Sequence, residues 1–152
     1  MKTNILSLSF RQVAATDKSP AHLVGELRVD GTRIGEGYVL DIRRLAEALT
    51  SEGEHFIFTC GCGEPGCAGI HEGVRSRISG EQVLLDGTLP KGGAFSLALS
   101  ASHACQSVVE ALVAVQPLAE AMAGDEGYPI GPDGLVDGKA LGKAVEALSR
   151  AS

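Results

Sequence analysis

The residues best suited to chemistry lie in one short run, Cys60-Gly61-Cys62-Gly63-Glu64-Pro65-Gly66-Cys67, with His71 four positions further on. Three thiols in a Cys-x-Cys-x4-Cys pattern and an imidazole form the donor set of a tetrahedral Zn²⁺ site, whose ligands must sit about 2.0–2.3 Å from one point. Gly61, Gly63 and Gly66 let the backbone wrap tightly, because glycine accepts positive φ, and Pro65 stiffens the turn. Cys60, Cys62, Cys67 and His71 are therefore the candidate metal ligands, and Zn²⁺ the candidate cofactor. His71 is the nearest fourth ligand in sequence; Cys105, His103, His55 and His22 are the others that the fold could deliver.

The same thiols admit two further readings. A turn rich in Gly and Cys can be a metal-free hairpin with buried thiols, since a free cysteine packs as a small hydrophobe. It can also be a redox or reactive-thiol site, which would need a depressed thiolate pKa; Arg75 and Arg77 are the nearby cations that would contribute, although a strand would direct them to solvent. Other constellations fall away on inspection. His71-Glu72 begins like a zinc-protease helix motif, but the position of the second histidine is Arg75 and Gly73 disfavours a helix. Gly35-x-Gly37 lacks the third glycine of a phosphate-binding turn. Ser102, His103 and Cys105 read as a helix cap and packed side chains, because adjacency in sequence is not triad geometry. Asp125 and Glu126 fall in a Gly/Pro/Asp-rich loop without EF-hand spacing.

The elements that must position the turn can be read from periodicity. Leu6, Leu8 and Phe10 alternate with serines as a half-buried strand. Leu23, Leu27 and Val29 oppose Glu26, Arg28 and Asp30, and Asp30-Gly31 is a hairpin signal with a return strand expected over Arg33–Leu40. Asp41 can cap a short helix bearing Ile42, Leu45, Ala46 and Leu49, with Arg43 and Arg44 on its solvated face. Ser51–Glu54 reads as a polar turn, Phe56–Thr59 as the strand delivering Cys60, and Val74–Ile78 as the strand leaving the turn. Val83–Leu85 follows after Ser79-Gly80; Phe95, Leu97 and Leu99 alternate after a turn at Pro90–Gly93. A helix capped by Ser102 then carries Val108, Val109, Leu112 and Val115, and Pro117 breaks or kinks it. Gly124–Asp137 reads as a loop, and Leu141, Val145 and Leu148 as the inner face of a last helix. The expectation is a single α+β domain over residues 1–152: a mostly antiparallel sheet of about six short strands, helices on one face, and a helical C-terminal third.

The run Phe58–Ile70, followed by Gly73-Val74, resembles a C-x-C-G-x-x-G-C turn signature of uncharacterised bacterial proteins, with a short strand before the turn and a Val-rich strand after it. The likeness spans roughly residues 55–78 and implies no activity. In spacing alone the turn also resembles the post-SET zinc knuckle of lysine methyltransferases, which takes a remote cysteine; no methyltransferase motif surrounds it here.

Composition bounds the rest. With 44% hydrophobic residues but only 4% aromatics and no Trp, the core must be aliphatic. A net charge of −6 repels phosphate backbones, so neither nucleic acid nor a membrane surface is the expected partner. Met1–Phe10 lacks the apolar run of a signal peptide and no window reaches a membrane span, so the reading is a soluble, cytoplasmic protein, where clustered cysteines favour metal or thiol chemistry. Without a persuasive catalytic set, the sequence points to a non-enzymatic, zinc-stabilised interaction module whose partner is another protein or a second copy. The alternative is a thiol-dependent redox or sensor protein.

Overall fold

The computed structural model describes residues 3–14, 16–17, 21–60, 65–123 and 146–151. The chain forms β1 (Leu6–Val13), β2 (His22–Val29), β3 (Thr32–Ile34), β4 (Val39–Leu40), α1 (Ile42–Thr50), β5 (Gly53–His55), β6 (Phe58–Thr59), β7 (Val74–Ser79), β8 (Gln82–Leu89), β9 (Gly93–Ser100) and α2 (Ala101–Ala123). The class is α+β with antiparallel sheets. The strands outnumber the expected six because they divide into three sheets, ordered β1-β2-β3, β4-β6 and β5-β7-β8-β9. A parallel bridge from Asn4 to Leu99 ties the first sheet to the last.

Periodicity accounts for most of this. The inner faces contribute Leu6, Leu8, Leu23 and Leu27 from one sheet and Val83, Leu85 and Leu99 from another, and Leu45 and Leu49 of α1 and Leu112 of α2 complete an aliphatic core. Asp30 and Gly31, with φ of 52° and 82°, make the β2–β3 turn. The return strand stops at Ile34 rather than Leu40 because Gly35 and Gly37 turn the chain with φ of 76° and 90°.

Three expectations are corrected, in whole or in part. Gly53–His55 is a strand, not a turn, because it pairs with β7 in the register Glu54↔Arg75 and His55↔Val74; backbone pairing outweighs its polar composition. The serine at the start of α2 is Ser100, whose Oγ accepts from His103 N at 3.4 Å; Ser102 lies within the helix. Of the break or kink expected at Pro117, the break does not occur, since α2 continues to Ala123. Pro117 sits on an exposed side of the helix, where water can serve the carbonyl that loses its amide partner. The Gly124–Asp137 loop, Leu141 and Val145 lie outside the described residues. Residues 146–151 are helical and Leu148 is fully buried.

The C-terminal end of α1 is stitched to the sheet by two side chains. Ser76 Oγ of β7, buried, donates to Ala48 O at 2.6 Å. His55 Nε2 lies 2.9 Å from Ser51 O and must be the donor, since a carbonyl only accepts. At the other end, Asp41 Oδ1 accepts from Arg44 N at 3.2 Å. Burial pushes the Asp41 carboxyl above its ordinary 3.8, against the lowering pull of Arg44 and Arg43. Folding therefore disfavours the charged form, and that penalty appears as pH rises from the ordinary value toward the raised one. Asp41→Ala should cost about 1 kcal/mol in urea unfolding. Asp41→Asn, which keeps an acceptor without charge, should match or exceed the parent at neutral pH. Its advantage should disappear as pH falls below 3.8.

Candidate functional site

The cysteine turn hangs between two buried anchors. On the approach side, β6 pairs with β4 (Leu40↔Phe58, Val39↔Thr59) and Asp41 N donates to Ile57 O at 2.8 Å. Thr59 is buried, and its Oγ1 donates to Cys60 O at 2.9 Å. On the exit side the chain makes a 3₁₀ turn over Gly66–Ala68, starting from Pro65 with φ −60° and ψ −41° and closing on Gly69 with φ 79°. Ala68 N and Ile70 N both donate to Pro65 O at 3.0 Å, and Gly69 N to Gly66 O at 3.0 Å. Ile70 then drops into the core at 4% exposure. Proline supplies a preset φ and glycine the left-handed residue, so each end of this turn uses the residue its backbone requires.

Gly73 locks the exit to β5. Its N–H donates to Glu54 Oε2 at 3.2 Å. A Cβ there would lie 2.6 Å from Glu54 Cγ and 3.0 Å from the carbonyl oxygen of His55. The glycine is visible in the sequence, but its role depends on β5, whose polar residues carry no local strand signal.

The candidate ligands divide clearly. Cys60 is half-buried and disulfide-bonded, and Cys67 and His71 are exposed on the same surface turn. Cys62 lies outside the described residues. Among the alternatives for a fourth ligand, His55 is buried and engaged with Ser51 O. Cys105 is enclosed in the core on α2, where burial pushes its thiol pKa up and keeps it protonated. His103 is exposed on α2, and His22 stands opposite Val13 at the end of β2. Among the described residues no group of three or more His, Cys, Asp or Glu side chains converges to hold a metal ion. A disulfide-bonded sulfur offers no thiolate, so a metal set that includes Cys60 can exist only in the reduced chain.

Beside the exit of the turn, the outer face of the four-stranded sheet forms a groove of about 570 Å³ that includes Glu54, Glu72, Arg75, Asp86, Thr88 and Ser96. Register sets Glu54, Arg75, Asp86 and Ser96 in one row across the strands. Ser96 Oγ hydrogen-bonds Asp86 Oδ1, and Arg77 reaches Asp86 at 3.6 Å. Both arginines are exposed, as the strand pattern implied.

The chain matches no family model, no curated protein and no solved structure. No helix among the described residues is long and apolar enough to cross a membrane.

Gly73→Ala should lower stability by about 1–3 kcal/mol, because the backbone of β5 as well as the Glu54 side chain must give way. An unchanged urea midpoint would show that the close approach places no demand on position 73.

Proposed function

We propose that the protein is a non-enzymatic interaction module whose cysteine turn, when reduced, closes on Zn²⁺ through Cys60, Cys62, Cys67 and His71. The observation that carries this reading is the frame. Thr59 and Ile70 anchor the turn in the core from either side, while Cys67, a free thiol, and His71 are left exposed at the surface. Donors held on an anchored loop and spared from packing suit a structural metal, whose binding free energy becomes folding free energy. The core cysteine and the buried histidine are used elsewhere, which favours His71 as the fourth ligand.

One observation favours the second reading, a thiol-dependent redox or sensor protein. A disulfide at Cys60 and a free, exposed thiol at Cys67 share one turn. Such a thiol, as thiolate, could attack the disulfide and release the other sulfur as thiolate, with no external oxidant.

Metal analysis of the reduced, untagged protein separates them. About one zinc per chain, lost together with thermal stability in the Cys60→Ser, Cys67→Ser variant, is the expected result. A reduced chain that takes up no zinc and folds normally in the variant would sink the metal reading. Zinc should also protect Cys67 from iodoacetamide, and Cys105 should stay unlabelled until the chain unfolds. Rapid labelling of Cys67 at neutral pH with zinc present would favour the redox reading.

A further inference from the structure

The outer face of the three-stranded sheet gathers cations around one acid. Glu26 of β2 is held by Arg11 of β1 (Nε to Oε1, 3.0 Å), by Arg28 of β2 (Nη2 to Oε2, 3.2 Å) and by Arg33 of β3 (Nη1 to Oε1, 3.7 Å). Register explains the meeting: Ser9 faces Glu26, Ser7 faces Arg28, and Arg28 faces Arg33. Arg28 Nη1 also donates to Ser9 Oγ at 3.1 Å. Partial burial works to raise the Glu26 carboxyl, but the Arg11 hydrogen bond and the charges of Arg33 and Arg28 outweigh it, so Glu26 stays below its ordinary value and ionised.

One carboxylate against three guanidiniums leaves two positive charges in surplus, on a chain whose net charge is −6. The Glu26 side chain is only 12% exposed, whereas Arg11, Arg28 and Arg33 are 56%, 38% and 26% exposed. The acid therefore lies beneath and the cations face solvent. Each guanidinium carries about five N–H donors, and Glu26 and Ser9 engage only a few of them. Arg33 Nε, enclosed, has no partner among the described residues. At physiological salt, charges more than about 8 Å away are screened, so the local surplus, not the global acidity, decides what this face attracts.

We propose that this face docks a carboxylate-rich peptide segment of a protein partner, its carboxylates taking the outward donors of Arg11, Arg28 and Arg33. Guanidinium forks match carboxylates bidentately, and an extended segment can lie along the strands. A nucleic acid fits less well, since its affinity grows with the number of phosphates neutralised and this patch has charge to spare for about two. The inference rests on the interaction-module reading and gives it a surface and a class of partner.

The test is fluorescence anisotropy of a labelled oligo-glutamate peptide with the full chain, the zinc content of the same sample being measured alongside. Saturable binding should weaken as salt rises from about 50 to about 200 mM. It should fall about tenfold in Arg11→Gln, Arg28→Gln, fall less in Arg11→Lys, Arg28→Lys, which keeps the charge but loses the fork, and remain unchanged in Arg75→Gln on the other sheet. Circular dichroism melts establish that the double variant is folded; if it is not, the comparison of the lysine variant with Arg75→Gln decides. Absence of binding at low salt, equal loss in Arg75→Gln, or tighter binding of an oligo-thymidylate would each overturn the proposal. Failure of peptide binding in a zinc-loaded sample would dismiss this face while leaving the cysteine turn's metal reading intact.

Discussion

The cysteine turn is where it is because Phe58 packs against a bare backbone. A Cβ at Gly35 would sit 2.1 Å from Phe58 Cε1, so the ring occupies the space that any other residue would fill. Gly35 also has φ 76°, and sterics and backbone conformation therefore demand the same residue. The contact joins the end of the β2–β3 hairpin to β6, the strand that presents Cys60. Tyr38 extends the arrangement: its ring stands 6.5 Å from that of Phe58, and its hydroxyl accepts from Lys91 N at 3.0 Å. Gly69, at the far end of the turn, approaches Pro90. With few aromatics in the chain, these two rings connect the hairpin, the cysteine turn and the β8–β9 corner, while the rest of the core is mostly aliphatic, with Phe10, Phe56 and Phe95 packed at its margin.

Much of this was legible in the sequence wherever the signal was local. Alternation found β1, β2, β7 and β9, and helical spacing with Asp41 found α1. What escaped was set by partners distant in the chain. Nothing within Gly53–His55 announces a strand; the unpaired edge of β7 makes it one. Ser76 looks like any strand serine until Ala48 O, 28 residues away, requires a donor. His55 and Cys105 were both metal candidates by residue type, and only burial and hydrogen bonding reassign them to packing. The charges around Glu26 show the same lesson in another form. Arg11, Arg28 and Arg33 are unremarkable singly; Arg28 lies two residues along the same strand from Glu26, and strand pairing brings Arg11 and Arg33 to the same carboxylate.

The polar faces of the two larger sheets are organised by different rules. On the four-stranded sheet, register alternates acid, base, acid and hydroxyl across Glu54, Arg75, Asp86 and Ser96, and Arg77, paired with Asp86, brings the two acids and two bases into balance. On the three-stranded sheet a single acid is shared by three bases. Exposed ion pairs contribute little to stability, typically about 0–1 kcal/mol, so stability alone is a weak reason to gather three cations at one place. An uncancelled cluster makes better sense as a surface that meets a partner than as a brace for the fold.

The turn and its sulfurs are held by separate means, and this bears on how its chemistry can change. The hydrogen bonds that define the Pro65–Ile70 segment run between backbone groups and involve no thiol. Its anchors, Thr59 and Ile70, are core residues. A disulfide requires two uncharged sulfurs about 2.05 Å apart, whereas zinc requires thiolates about 2.3 Å from a shared ion. These demands exclude each other at Cys60, yet neither calls on the backbone bonds that carry the turn. Oxidation or metal binding would then alter the charge and donor set presented between two fixed anchors while the exit of the turn keeps its shape. On the metal reading proposed above, zinc would add its binding free energy to the fold, while the backbone alone shapes the exit of the turn, so thiol state and fold stability have to be measured separately in this protein.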